Sequence, residues 1–124
     1  MRRPTVLAAA ALLVLPLGVV ACGGDDDEGS SDVAGAAVTV VSTNSACTPD
    51  KTTLPAGKQK LVIKNEGSNA TELYVYEGDK VASEVENVGP GTSRSLTVTL
   101  KAGGAYQLAC KPGGTTIKVP ITVS

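Results

Sequence analysis

The chain has 124 residues and a formal net charge of −1, a size that suits one domain and a charge that gives no sign of a nucleic-acid partner. It contains no Trp or Phe and only three Tyr, so the core must be built from small and β-branched side chains. It also contains no His, and its one Met is the initiator, which removes the commonest general base and common transition-metal ligands.

The N-terminal segment has the order of residues typical of an export signal. Two arginines precede an apolar stretch over residues 6–20, which ends in small residues before Cys22. The stretch is shorter than the roughly 20 residues that a membrane-spanning helix needs, so residues 1–21 are predicted to be a signal peptide. The sequence Val-Val-Ala-Cys resembles a bacterial lipobox, which implies that Cys22 is acylated and holds the protein at the extracytoplasmic face of the cell membrane. Ordinary secretion with a free Cys22 thiol and an uncleaved anchor are the alternatives.

Residues 22–35 are predicted to be an acidic, disordered tether. They include four consecutive acidic residues at positions 25–28, which repel one another, and almost no apolar side chains to bury. At Ala36 the composition changes to a β-rich pattern that lasts to the C-terminus. Residues 36–124 are therefore predicted to form the folded domain.

Alternation of apolar and polar residues recurs along this domain and predicts short, half-buried strands. Turns rich in Gly and Pro separate the runs, and no segment has a helical period. We expect an all-β Greek-key sandwich of seven to eight strands. The alternating apolar positions are Val38 and Val40; Leu61 and Ile63; Leu73 and Val75; Leu96, Val98 and Leu100; Tyr106, Leu108 and Cys110; and Ile117, Val119, Ile121 and Val123.

Cys47 and Cys110 remain as an even pair once Cys22 is acylated. In an oxidising compartment such a pair is expected to form a disulfide. Cys110 has the same phase as Leu108, so it should point inward. The alternative is that the two thiolates ligate a soft metal.

Several motifs, taken in chain order, resemble the cupredoxin-like domain of EfeO-type iron-uptake lipoproteins. The resemblance implies a cupredoxin-like fold and a role in iron uptake, together with an oxidase-type partner and a membrane permease. In that family an imelysin-like helical domain commonly follows, whereas this sequence ends at Ser124, so we expect a stand-alone domain. The motifs are Ala-Cys-Thr-Pro at 46–49, Leu-Pro-Ala-Gly-Lys at 54–58, Leu-Val-Ile-Lys-Asn at 61–65, Thr-Glu-Leu at 71–73, Glu-Val-Glu-Asn-Val-Gly-Pro-Gly at 84–91, Leu-Thr-Val-Thr-Leu at 96–100 and Tyr-Gln-Leu-Ala-Cys at 106–110.

The available residue types argue against two kinds of chemistry. A blue-copper centre needs two imidazoles and a thiolate, so no type 1 copper is expected. Without His, the Ser-His and Cys-His nucleophilic pairs are also unavailable. We therefore expect no enzymatic activity.

Acidic residues are concentrated in one part of the domain and supply candidate metal ligands. Glu84 and Glu86 lie two residues apart, so they should project from the same face of one strand, and Glu72 is placed on the adjacent strand. Paired carboxylates suit iron or another hard cation, and these three glutamates also match the EfeO-type pattern. The alternative is a solvated outer face of an antiparallel sheet. Six of the seven acidic residues of the domain fall between positions 66 and 86: Glu66, Glu72, Glu77, Asp79, Glu84 and Glu86.

Two functions remain in competition. The first is a non-enzymatic, membrane-anchored module that binds or delivers iron and works with a metal-uptake permease or a related envelope protein. The second is a structural or protein-interaction sandwich with no metal site. Loss of metal affinity on changing Glu84 and Glu86 to Ala would favour the first function.

Overall fold

The structure is a computed structural model that describes residues 33–124. The predicted signal peptide (1–21), Cys22 and most of the predicted tether lie outside the described residues. Within residues 33–124, no helix has the length and apolar character needed to cross a membrane. The same part of the chain forms nine strands: β1 (Val38–Ser42), β2 (Cys47–Pro49), β3 (Thr53–Leu54), β4 (Gly57–Asn65), β5 (Thr71–Glu77), β6 (Lys80–Val88), β7 (Ser93–Leu100), β8 (Tyr106–Cys110) and β9 (Ile117–Val123).

The strands form two sheets that pack face to face. One sheet has four strands in the order β2-β1-β4-β7, and the other has five in the order β3-β9-β8-β5-β6. The pairs β1–β4 and β3–β9 are parallel, and the chain changes sheet after β2, β3, β4, β6 and β7, as a Greek-key sandwich requires. The predicted all-β sandwich is confirmed, with nine strands in the described residues instead of seven to eight. Two of them, β2 and β3, have only three and two residues, too few to show alternation in the sequence.

The core consists of the inward positions of the alternating runs. Leu61 and Ile63 of β4 and Leu73 and Val75 of β5 have no exposed surface and belong to one buried cluster with Leu108 of β8. Each such side chain contributes roughly 1.5–3 kcal/mol when it leaves water. The periodicity therefore predicted the inward face of these strands correctly.

The described chain enters the sandwich at the end where β4 begins. The Ala34 N–H donates to the Lys58 carbonyl at 2.8 Å, so the chain runs alongside the beginning of β4 before it enters β1. The C-terminus lies at the same end, where the Ser124 N–H donates to the Leu54 carbonyl at 3.0 Å. Both termini of the described chain therefore leave the sandwich at this end.

At the opposite end, the side-chain amide of Asn65 connects the loop after β4 with the end of β6. Its Nδ2 donates to the carbonyls of Asn69 (2.7 Å) and Val88 (2.8 Å), and its Oδ1 accepts from the Gly67 N–H at 2.9 Å. Asn65 is 2% exposed, so these bonds satisfy a buried polar group that would otherwise be costly. This end also holds the disulfide between the two sheets.

Candidate functional site

The predicted acidic ligands lie on the outer face of the five-stranded sheet. Glu72 belongs to β5, and Glu84 and Glu86 belong to the neighbouring edge strand β6. Because Leu73 and Val75 point into the core, the alternate residues of β5 point outward. The sequence thus correctly predicted that the three glutamates occupy adjacent strands.

A β-bulge in β6 sets the position of Glu86. Thr71 pairs with Val88 and Leu73 pairs with Val85, so the single residue Glu72 faces two residues of β6, which are Glu86 and Asn87. Asn87 has a φ of 56°, a left-handed conformation that Asn tolerates better than most residues. The extra residue directs Glu86 toward β5, as bulges commonly re-aim a side chain.

Glu72 and Glu86 meet at the hydroxyl of Tyr74. This hydroxyl is 2.9 Å from Oε2 of Glu72 and 3.0 Å from Oε1 of Glu86, so its single proton is shared between two carboxylates. The hydrogen bond to Glu72, followed by burial and the bond to Glu86, raises the pKa of Tyr74 well above its usual value. Tyr74 is 8% exposed although it lies on the outer face. The phenol therefore holds the two carboxylates in fixed positions beside each other.

Two lysines cover the tyrosine rings of this face. The Nζ of Lys111 lies 3.8 Å from the centroid of the Tyr74 ring, and that of Lys118 lies 5.1 Å from the Tyr76 ring. The two rings stack with their centroids 5.9 Å apart. Both contacts with lysine have the geometry of cation–π interactions. The ammonium group of Lys111 thus lies beside the carboxylates of Glu72 and Glu86. Because there are two carboxylates and one ammonium group, the site has a net negative charge.

Glu84 takes a different position from the other two glutamates. It pairs with Tyr74 across β5 and β6, and together with Glu86 and Arg94 it borders a groove of about 530 Å³ between the edge strands β6 and β7. Arg94 closes part of this groove, since its guanidinium donates to the Glu86 carbonyl at 2.5 Å. Within residues 33–124, no three His, Cys, Asp or Glu side chains are grouped closely enough to hold a metal ion. The metal-ligating role of Glu72, Glu84 and Glu86 remains a prediction.

The two remaining cysteines form the expected disulfide. Cys47 of β2 is bonded to Cys110 of β8, with their Cα atoms 5.6 Å apart, so the bridge joins the four-stranded sheet to the five-stranded sheet. Beside it, the buried hydroxyls of Ser42 and Thr71 are 2.9 Å apart and hydrogen bonded. Cys110 pairs with Leu73 and points inward, whereas Glu72 points outward. In this structure the sulfur atoms and the carboxylates therefore lie on opposite faces of the sheet.

The fold and the sequence can both be compared with those of known proteins. The family model described as the cupredoxin-like domain matches residues 9–123. The chain belongs to this family. The crystal structure of dithionite-reduced auracyanin from Roseiflexus castenholzii is similar, with a TM-score of 0.57 and 21% identity, over 73% of this chain and 99% of that one. The predicted cupredoxin-like sandwich is thereby confirmed.

Two named relatives of this cupredoxin-like chain are components of iron uptake systems. It is 30% identical over 101 residues to iron uptake system component EfeO from Yersinia pestis, a match that covers 82% of this chain and 24% of the relative. The match to the component of the same name from Yersinia pseudotuberculosis is also 30% identical and covers 25% of that protein. The chain thus spans about a quarter of the length of these relatives. The predicted resemblance to EfeO-type proteins is confirmed.

A type 1 copper centre does not fit the residues of this cupredoxin-like chain. Such a centre needs two His, a Cys thiolate and a weak axial ligand. The chain has no His, and the sulfur of Cys110 is bonded to Cys47. The donor set needed for copper-based electron transfer is missing from the sequence itself.

Sequence reasoning missed the role of Tyr74. The predicted inward phase of Leu73 and Val75 puts Tyr74 and Tyr76 on the opposite face, but it gives no reason to connect the phenol with the glutamates. The spacing of Glu72 and Tyr74, two apart on one strand, places both on the same face. That spacing was the available signal, whereas the approach of Glu86 depends on the bulge.

Proposed function

We propose that this chain is a non-enzymatic, lipid-anchored module of a bacterial iron-uptake system. In this proposal it binds ferric iron at Glu72 and Glu86, on the outer face of the five-stranded sheet, and delivers it to a membrane permease. The convergence of these two carboxylates on the Tyr74 hydroxyl is the observation that carries the proposal. The similarity to iron uptake system component EfeO supports the choice of iron.

The chemistry of the site favours a hard, highly charged cation. Carboxylate oxygens are the ligands that such ions prefer. Glu72 and Glu86 are positioned by the same phenol, so a cation that binds both would require little rearrangement of the backbone. Lys111 near Tyr74 opposes cation binding, but two carboxylates outweigh one ammonium group, and the net attraction grows in proportion to the charge of the ion. Glu84, across from Tyr74, adds negative charge next to the site.

Calorimetric titration of residues 23–124, oxidised, with ferric citrate and separately with calcium and cupric ions tests this assignment. We expect saturable ferric binding that weakens at least about tenfold in Glu72→Gln and in Glu86→Gln, because each change removes one carboxylate. Glu84→Gln should have a smaller effect, since it removes only neighbouring charge. Glu66→Gln changes an exposed carboxylate in the turn after β4 and is the matched control.

Equal affinities of all four variants would contradict a site at Glu72 and Glu86. If the protein binds none of the three ions, the other function, a protein-interaction sandwich, is favoured. In both cases the far-UV circular dichroism spectrum should first establish that the variants keep the fold.

The lipid anchor requires a separate test. When the full chain is expressed in a bacterium, we expect the mature protein to begin at Cys22 and to carry a diacylglyceryl group, detected by mass spectrometry of the N-terminal peptide. Cys22→Ser should abolish the modification and release the protein from membranes. A mature N-terminus elsewhere, or membrane retention of Cys22→Ser, would contradict lipid anchoring.

A further inference from the structure

The two sheets carry opposite charges on their strands. The four strands of the smaller sheet contain no Asp or Glu, and three lysines of β4 have the outward phase of that strand, whereas Arg94 of β7 has the phase of the buried Leu96 and bonds to β6. The strands of the five-stranded sheet contain four glutamates and two lysines. Since sheets in a sandwich pack face to face, the two outer faces point in opposite directions. The domain therefore has one side whose strands carry lysines and no carboxylates, and an opposite side on which glutamates lie beside Lys111 and Lys118.

The basic side is organised around a lysine row on β4. Lys58, Lys60 and Lys64 share the outward phase of this strand, and their neighbours Gln59, Leu61 and Ile63 are buried. Successive outward positions on a strand are about 6.6 Å apart. Val62 lies between Lys60 and Lys64 in the same row. We call the outward residues of β4 and β7 the lysine face.

Hydroxyl groups flank the lysine row on β7. Lys58 pairs with Thr99, and Lys64 pairs with Ser93. Ser95 and Thr97 occupy the outward positions between them, opposite Val62 and Lys60. Ammonium and hydroxyl groups together are donors for phosphate oxygens, with lysine acting as a point charge. Asp50 hydrogen bonds to the backbone of Thr39 on β1, in the same sheet.

The chain arrives from its N-terminal side next to this face. Ala34 is hydrogen bonded to Lys58, and only residues 23–33 separate it from Cys22. These 11 residues reach at most about 40 Å when fully extended. A domain held at Cys22 can therefore bring its lysine face onto the surface of the bilayer.

We propose that the lysine face docks on the anionic phospholipid headgroups of the membrane that carries the anchor. Each lysine near an anionic bilayer strengthens binding about fivefold, which is too little for a free domain but sufficient to orient one that is already tethered. The orientation rests on the proposed lipid anchoring and iron site. With the lysine face on the bilayer, the face with Glu72 and Glu86 is turned away from the membrane, so the docked domain captures iron and must leave the bilayer to deliver it to the permease.

The test tethers the protein chemically, so that it does not depend on lipid modification in a cell. Residues 22–124 are coupled through the Cys22 thiol to a maleimide lipid, since Cys47 and Cys110 are already bonded to each other. The chain has no Trp, so Val62→Trp introduces one reporter in the lysine face. Val81→Trp is the matched control, because Val81 is 47% exposed and pairs with Tyr76 on the opposite face.

Quenching of the indole by spin-labelled headgroups is then measured in phosphatidylglycerol-rich and in pure phosphatidylcholine vesicles. We expect Val62→Trp to be quenched in the anionic vesicles only, and Val81→Trp in neither. Raising the ionic strength from about 0.1 to 1 M should remove the quenching, since it shortens the Debye length from about 10 to 3 Å. In a Lys58→Gln/Lys64→Gln background, the ratio of docked to undocked protein should fall roughly 25-fold.

Three results would overturn the proposal. Equal quenching of the two reporters would mean that the domain has no preferred orientation, and quenching of Val62→Trp in phosphatidylcholine would mean that charge does not hold the face. If Val62→Trp is quenched only after Asp25, Asp26 and Asp27 are changed to Asn, the acidic segment of the chain itself occupies the lysine face. None of these results bears on ferric affinity or on acylation of Cys22, so failure of the docking proposal is distinguishable from failure of the proposed function.

Discussion

The hydroxyl of Tyr74 links the ionisation of one side chain to the stability of the fold. In the folded state its proton is shared with Glu72 and Glu86, and its pKa is raised from the ordinary 10.0. The folded protein thus keeps this proton at pH values where the unfolded chain has lost it. The corresponding stabilisation is complete below about pH 10 and is lost as the pH rises further toward the folded-state pKa.

We expect Tyr74→Phe to reduce the dependence of stability on alkaline pH. The variant keeps the ring between Lys111 and Tyr76 but has no proton to lose, so its urea midpoint should fall less than that of the wild type between about pH 9 and 11. Tyr76→Phe removes a hydroxyl outside the Glu72–Glu86 pair and is the control. Identical slopes for the wild type and Tyr74→Phe would show that the shared proton has no effect on folding.

A buried amide in β4 destabilises the fold, so replacing it should make the protein more stable. Gln59 is 1% exposed, and its Nε2 has no hydrogen-bond partner in the part of the chain described. A buried donor without a partner costs about 1–3 kcal/mol. Gln59→Met keeps the length of the side chain without the amide, so the free energy of unfolding should increase by about 1–2 kcal/mol, as measured by urea denaturation.

Asn65 is the matched control for Gln59, since it is also a buried amide at an inward position of β4. Unlike the Gln59 amide, the Asn65 amide makes three hydrogen bonds through both its nitrogen and its oxygen. Asn65→Leu should therefore lower the free energy of unfolding by about 3 kcal/mol, at roughly 1 kcal/mol per hydrogen bond. A loss of stability in Gln59→Met would mean that the Gln59 amide is satisfied in solution.

At the scale of elements, regular strands were predictable and irregular ones were not. The six alternating runs coincide with β1, β4, β5, β7, β8 and β9, because an undisturbed strand between core and solvent keeps a period of two. In β6 the buried residues Val85 and Val88 are three apart, since the bulge inserts an extra residue between them. The strand positions of the glutamates could be predicted from their spacing. The joint hydrogen bonding of Glu72 and Glu86 to Tyr74 could not, because the approach of Glu86 depends on this bulge.

The bulge at Asn87 should control the geometry of the iron site. Asn87 is left-handed, a conformation that β-branched residues adopt only with strain. We expect Asn87→Val to cost about 1–2 kcal/mol of stability and to weaken ferric binding about tenfold, because Glu86 would no longer be directed at Tyr74. Urea denaturation and calorimetric titration measure the two effects.

Asn87→Gly is the conservative counterpart, since glycine adopts a positive φ without strain. It should retain the stability of the wild type to within about 1 kcal/mol and keep its ferric affinity. If both variants bind iron as the wild type does, Glu86 is not positioned by the bulge.

For the whole molecule, the two proposals assign different roles to the two sheets. The five-stranded sheet carries the paired glutamates, and the four-stranded sheet carries the lysine face, so the proposed iron site and membrane contact lie on opposite sides of one core. The Cys47–Cys110 bond is a covalent cross-link between these sheets, in addition to the main-chain connections. It lies at the end of the sandwich far from the chain entry at Ala34, together with the β4–β5 and β6–β7 connections that cross between the sheets.

The stability of the whole sandwich should depend on this disulfide. The cysteines are 63 residues apart, and closing a loop of that length stabilises the folded state by about 4 kcal/mol in the chain-entropy model. That is a large share of the roughly 5–15 kcal/mol typical of a small domain, and here the core contains few aromatic side chains. We expect the Cys47→Ala/Cys110→Ala protein, and the reduced wild type, to unfold at a much lower urea concentration.

Reductant should have no effect on the double variant, which provides the control for nonspecific action of the thiol reagent. Because the bridge joins the sheets on the inner side, away from Glu72 and Glu86, ferric binding should survive its removal in the fraction of molecules that remain folded. A double variant that folds but does not bind iron would mean that the disulfide is needed to keep Glu72 and Glu86 in position. Unchanged stability would instead mean that core packing alone holds the two sheets together.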